Sequence, residues 1–321
     1  MGLESASWIS LSGAAPPVDG AAAAYSARMG QVVLFGGFGN GSSEPAGELW
    51  SFGQESWAQV NSATRPPARV WGNLAYDATR NVLVLFGGLS RVGTLLNDTW
   101  EWDGNDWQQI TTQIVPPARA SASMAYHDGV QRIVLFGGHG RNGRQDIWFN
   151  DTWLWDGQTW EQAPAALSPS GRAAASSAYD SARQQLVLFG GATGTQLSDT
   201  WEWDGNAWAE RSPIHMPPPR ADAGMAFLNN SGVSLLFGGE SPSANPATRG
   251  WSDAWAWDGN DWSNVQLGTS PGAGPSAMTA YDPNSGAVVH VQYVVVKAIP
   301  PTAGQVPQPT ARSATWLLPN V

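Results

Sequence analysis

The stretch from Arg132 to Gly143 reads RIVLFGGHGRNG, and Gly138, Gly140 and Gly143 fall at G-x-G-x-x-G spacing after an apolar run. That spacing holds a dinucleotide pyrophosphate only where a helix N-terminus follows the glycine turn. Here RQDIWFNDTWLWDG follows, aromatic and turn-rich, with no helical apolar stripe and no isolated acid placed for a ribose hydroxyl. The glycines need another explanation. Arginines offer a second chemistry: Arg69, Arg119, Arg172 and Arg220 each stand seven residues before Tyr76, Tyr126, Tyr179 or Phe227. A planar guanidinium grips a carboxylate with two parallel hydrogen bonds, either on a ligand or inside the fold. Asp98, Asp151, Asp199 and Asp253 accompany these arginines one for one. Late in the chain both are lost together, as Gly274 and Ser313, while near its start Asp19 stands near the arginine position and Glu48 at the acid position. This covariation predicts internal Arg–Asp pairs; contact with a ligand is the alternative.

Catalytic chemistry has little to build on. His127, His139, His215 and His290 lack ligand spacing, and the DGND runs lack the oxygen pattern of a calcium loop. There is no cysteine and no G-x-S-x-G nucleophile elbow. No catalytic residue, metal or cofactor is expected.

The elements that must carry these residues repeat. VVLFGG, VLVLFGG, IVLFGG, QLVLFGG and SLLFGG are copies of one unit, and their phenylalanines (35, 86, 136, 189, 237) step by 51, 50, 53 and 48 residues. The run before each Gly-Gly is apolar throughout, as in a strand covered on both faces. DTWEW and its relatives alternate aromatic and polar residues, and WDGNDW places Trp102 and Trp107 across a tight turn. Upstream, PPARASASMAY is a proline-marked lead into a strand of small residues. Each unit is therefore four strands, a to d from the inside out.

A period near 50 with a Gly-Gly doublet resembles the kelch-repeat family, in which each repeat is one propeller blade. The resemblance implies an all-β fold, a six-bladed β-propeller of four-stranded antiparallel blades. The expected blades are 16–60, 66–110, 116–163, 171–211, 218–265 and 275–321 plus 7–11, all in a single domain spanning 1–321. Strand c carries Trp50, Trp100, Trp153, Trp201, Trp255 and Trp316, and strand d carries Trp57, Trp107, Trp160, Trp208 and Trp262. The missing sixth d-strand tryptophan is Trp8, so an N-terminal strand d should pair with the C-terminal strand c and close the ring. The last blade departs from the pattern, because AVVHVQYVVV lacks both Phe and Gly-Gly.

In this topology the b–c loops and the segments leading into strand a share one face, the usual binding face of kelch adaptors. In kelch adaptors that sense redox stress, arginines at this repeat position help hold acidic peptides, so the resemblance also offers Arg69, Arg119, Arg172 and Arg220 as axial-pocket contacts. Residues that break the repeat are better ligand candidates: Trp71, Arg91, His139, Arg141, Arg144, Trp148, Arg249 and Trp251. Aromatic groups beside cations suit a protein or peptide, a small anionic ligand or a sugar. The reading that follows is a binding module for a protein or peptide. The alternatives are small-molecule or carbohydrate binding in the axial pocket (lectin-like, or a sugar isomerase like the sialate mutarotases) and a structural module of a larger surface protein. The proline-bearing stretch from Tyr293 to Ser313 is read as a lid or a degenerate closing blade.

Charge narrows the partners. With 26 acidic and 16 basic residues the formal net charge is −10, against the basic face that nucleic acid requires. No apolar run approaches the roughly 20 residues of a membrane span. A monomer is expected, either cytoplasmic or secreted with its signal removed.

Overall fold

The computed structural model describes residues 6–11, 16, 19–39, 44–164, 166–242, 250–272, 277–296, 310–319 and 321. Six antiparallel sheets form the blades, each with four strands a to d and that of blade 2 with Arg69–Val70 as a fifth, and no helix occurs among the described residues. Blade 3 shows the plan: Ser123–His127, Arg132–Phe136, Thr152–Trp155 and Trp160–Gln162 are strands a to d, paired in that order. The innermost strands of the other blades are Ala22–Ser26, Asn73–Asp77, Ser176–Asp180, Gly224–Leu228 and Ala277–Asp282. Each touches the innermost strands of both neighbours, so the ring closes round an axis. Blade 3 carries an addition between strands b and c, a two-stranded hairpin of His139–Asn142 and Gln145–Trp148.

Strand b is apolar throughout because each of its faces meets a different blade. Ile133 and Leu135 pack with Ala75, Val84 and Phe86 of blade 2, whereas Val134 and Phe136 pack with Leu186, Leu188 and Trp203 of blade 4. Alternation along a strand sends neighbouring side chains to opposite faces, and here both faces are interior. In blades 2 to 5 the d-strand tryptophan then rests on the Phe of the preceding blade. Trp107 meets Phe35, Trp160 meets Phe86, Trp208 meets Phe136 and Trp262 meets Phe189, with ring centroids 4.9–5.3 Å apart.

The seam uses the same contact. Ile9–Ser10 pairs antiparallel with Thr310–Leu318 (Ile9 opposite Leu317, Ser10 opposite Trp316), and Trp8 sits 5.2 Å from Phe237 of blade 5. On the other side of blade 6, the Trp57 indole donates to Thr315 at 2.9 Å. That bond repeats what Trp160, Trp208 and Trp262 do to Thr99, Thr152 and Thr200. Trp8 lacks it: blade 5 has Ala254 where those blades have threonine, and the buried Trp8 Nε1 has no partner. Ala254→Thr should therefore raise stability by about 1 kcal/mol, the net worth of a hydrogen bond to a buried donor. Equilibrium denaturation checks this, and no gain would place the Trp8 indole elsewhere.

Candidate ligand-binding face

The repeated arginines are the most regular feature of the face. Arg119 donates through Nη1 and Nη2 to the two carboxylate oxygens of Asp151 at 2.6 and 2.9 Å. Nη1 also reaches the Gly137 carbonyl at 2.8 Å, Nε reaches that of Pro117 at 3.0 Å, and the Trp153 indole donates to the same aspartate at 2.7 Å. Arg69–Asp98, Arg172–Asp199 and Arg220–Asp253 repeat the bidentate geometry, and all four guanidiniums are fully buried. Burial alone would raise the carboxyls of Asp98, Asp199 and Asp253. The arginine bonds and charge, with the tryptophan indoles, outweigh it and hold these carboxyls below the ordinary range. Each of these buried guanidiniums is thus bound through Nε, Nη1 and Nη2 inside the fold.

This frame also explains the glycines. The second glycine of each pair donates its N–H to the arginine carbonyl of the next blade: Gly37 to Arg69, Gly88 to Arg119, Gly138 to Arg172 and Gly191 to Arg220, at 2.8–3.0 Å. The first lies against the same carbonyl, and a Cβ on Gly137 would sit 2.7 Å from the Arg172 oxygen. Gly-Gly is therefore a blade-to-blade joint. Gly140 and Gly143, which complete the apparent nucleotide fingerprint, belong to the added hairpin: Gly140 lies under the Phe149 ring and Gly143 turns the chain at φ 62°.

The remaining candidates separate. On the hairpin, Asp146 accepts from Arg141 at 3.1 Å and lies 3.1 Å from the His139 ring. Arg141 and then His139 hold its carboxyl below the ordinary range. His139 and Trp148 are cross-strand partners, and the Trp148 indole is 40% exposed. Arg144, at the hairpin turn, is exposed. Arg91, on the blade 2 b–c turn, pairs with Glu44 of blade 1. Between these two hairpins runs a groove of about 490 Å³ lined by Leu95, Pro117, Arg141, Asn142, Ile147 and Phe149. Trp251 instead packs over Arg220, 5.2 Å from guanidinium carbon to ring centroid, just as Phe149 covers Arg119 at 4.0 Å. It occupies the repeat position that holds Leu96, Phe149 and Leu197 in other blades. Arg249, Gly274, the side chain of Ser313 and the prolines of the 293–313 stretch lie outside the described residues.

At the axis, one feature went unseen in the sequence. Two residues after each arginine the backbone turns left-handed, at Trp71, Ser121, Ala174 and Asp222 (φ 52–55°), and Gly20 does the same in blade 1. Each donates its N–H to the carbonyl of its counterpart one blade earlier: Trp71 to Gly20, Ser121 to Trp71, Ala174 to Ser121 and Asp222 to Ala174, at 2.6–3.0 Å. Non-glycine residues held left-handed cost energy and persist where the surroundings over-determine them. This belt surrounds an axial channel of about 210 Å³, walled by small inner-strand residues with Met225 and Met278. Trp71 stands at its rim, 36% exposed, its indole over Gly20 and edge-on to Phe38 at 5.9 Å. Asp222 stands three blades away, across the axis. Burial, then the charges of Glu240 and Asp19, push its carboxyl up to about 7. Aligning the repeats on their arginines would have exposed this acid as the odd member of its column.

Among the described residues no three histidine or acidic side chains converge as metal ligands. His290 is buried against Trp8 and Phe237, and burial lowers its pKa to about 4. His127 is buried against Tyr179 and Trp203, and His215 pairs with Asp261 on the surface.

Residues 21–168 match the family model of the KLHDC2/KLHL20/DRC7 Kelch-repeats domain. The match covers blades 1 to 3, and the chain as a whole is a six-bladed β-propeller. No curated protein matches it. Kelch-repeat propellers are generally protein-interaction modules. The features that break the repeat in this chain are the blade 3 hairpin and the acid at the axis.

Proposed function

We propose that this kelch propeller binds a protein or peptide on the face formed by its b–c loops and the segments leading into strand a. The observation that carries the reading is the blade 3 hairpin. It breaks the repeat, presents an exposed Trp148, and flanks a groove of about 490 Å³. Exposed aromatics beside a pocket are what interface anchors are made of. The four buried arginines do not recruit an acidic ligand on this reading, because Asp98, Asp151, Asp199 and Asp253 already satisfy them. Nor does the axial channel favour a whole sugar or drug-sized ligand, since its 210 Å³ falls short of the ~300 Å³ at which such sites begin.

The test is selection of peptides from a random display library on the immobilised wild-type chain. The best binder is then measured on Arg141→Ala/Arg144→Ala/Trp148→Ala. We expect affinity to fall at least tenfold, about 1.4 kcal/mol or more, with the melting temperature unchanged. Undiminished affinity would remove the hairpin from the site, and loss of folding would reveal packing residues instead.

A further inference from the structure

We propose that the axial mouth seats one alkylammonium or guanidinium group, presented by a lysine or arginine side chain of the protein partner, with the Asp222 carboxylate as its counter-charge. The inference rests on the reading of this face as a binding face and names what its centre selects.

Asp222 is unlike the other aspartates near the face. Asp98 accepts two bonds from Arg69 and one from Trp100, whereas the Asp222 carboxyl receives no hydrogen bond from any described residue. Solvent reaches one side of it along the channel and protein surrounds the rest. A carboxylate in that setting is an unmet acceptor, costly to the fold and available to a donor that arrives with a ligand. Its position is fixed by the Asp222 N–H bond to the Ala174 carbonyl at 3.0 Å, in a backbone conformation the belt imposes. At the equivalent place the other described blades have Gly20, Trp71, Ser121 and Ala174, so the acid is particular to blade 5.

The surroundings match a cationic side chain in size and charge. About 210 Å³ accepts a side chain rather than a whole ligand, and Met225 and Met278 give its aliphatic stem an apolar wall. The charged groups acting on Asp222 are Glu240 and Asp19, both acidic. The nearest arginine in the chain, Arg220, is engaged by Asp253 and neutralises nothing here. The net charge of −10 draws cationic partners toward the molecule.

Occupancy should depend on pH with a definite sign. With the carboxyl near 7, Asp222 is mostly ionised at pH 8 and mostly protonated at pH 6, so affinity for a cation should fall about tenfold between them. In the free protein the same shift makes ionisation unfavourable. Stability from the neutral carboxyl is complete below the ordinary carboxylate range and is lost as pH rises through about 7. Asp222→Asn should thus fold at least as well as wild type at pH 8, and asparagine tolerates the left-handed backbone.

The experiment follows the Trp71 indole ¹H–¹⁵N signal of the labelled full chain, assigned with Trp71→Phe. The probes are N-acetyl-lysine amide, N-acetyl-arginine amide, spermidine and the neutral N-acetyl-norleucine amide. A saturable shift with the lysine or arginine amide, none with norleucine amide, and at least tenfold weaker binding in Asp222→Asn at pH 8 is the expected result. An equal response to norleucine amide, no response to any cation, or an unchanged Asp222→Asn overturns the proposal. Tighter binding of spermidine than of either amide overturns the side-chain source in favour of a free polyamine. If Asp222→Asn melts below wild type, Asp222→Ser takes its place. A display-selected peptide that needs Trp148 and ignores Asp222 overturns only the axial site. Cation binding at Asp222, with peptide affinity intact in the hairpin variant, overturns only the hairpin reading.

Discussion

Arg119→Met should cost about 3–5 kcal/mol of stability, the usual penalty for removing one partner of a buried ion pair. The loss has three parts on the structure. Asp151 keeps only the Trp153 indole as a side-chain donor, the Gly137 carbonyl loses its partner, and the Phe149 ring loses the guanidinium beneath it. The double variant Arg119→Met/Asp151→Asn should recover part of the loss, because no uncompensated charge remains. Urea denaturation of wild type, both single variants and the double variant measures the coupling. Additive losses would mean that the pair does not exist in solution. The same pairs predict acid lability. The depressed carboxyls of Asp98, Asp199 and Asp253 contribute stability that is present above the ordinary carboxylate range and disappears as pH falls through their lowered values. A melting temperature that stayed level from pH 6 down to pH 2 would contradict this.

Trp8→Ala is the second large effect, about 3–5 kcal/mol for a buried tryptophan. Trp8 is 2% exposed and packs with Phe237, Leu228, Val265, Val288 and Leu318, so it joins blades 5 and 6 at the seam. Deleting residues 1–12 should cost still more. It also removes the pairing of Ile9–Ser10 with the outer edge of Thr310–Leu318, leaving an open strand edge that invites association. Thermal melting and light scattering of the truncated chain check both consequences. Unchanged melting would show that the ring holds without its N-terminal strand.

The sequence by itself determined the architecture. Propeller blades repeat, and repetition converts weak local signals into a strong one: five copies of Phe-Gly-Gly and six c-strand tryptophans define strand order and blade number before any contact is known. It also determined the Arg–Asp pairing, because two residues that appear and vanish together across repeats report a contact with no other homologue needed. The pairing of Ile9–Ser10 with Thr310–Leu318 is consistent with the closing strand d that counting places beside Trp8.

Only the tertiary structure decided which of the irregular residues are free. Trp148 and Trp251 look alike in the sequence, each an aromatic in an enlarged b–c loop beside a cation. Yet Trp251 covers Arg220, while Trp148 stands on a hairpin one residue before Phe149, which covers Arg119 in its stead. Arg91 and Arg141 read as open cations until Glu44 and Asp146 are seen beside them. Asp222 is the clearest case. Nothing local marks an aspartate in RADAGMAF as unusual; its character comes from Glu240 and Asp19, from the other blades that enclose the channel, and from a left-handed backbone that the belt holds in place. Repeats encode what each blade does to the next one. The charge at the axis arises from all the blades at once, and only the closed ring brings them together.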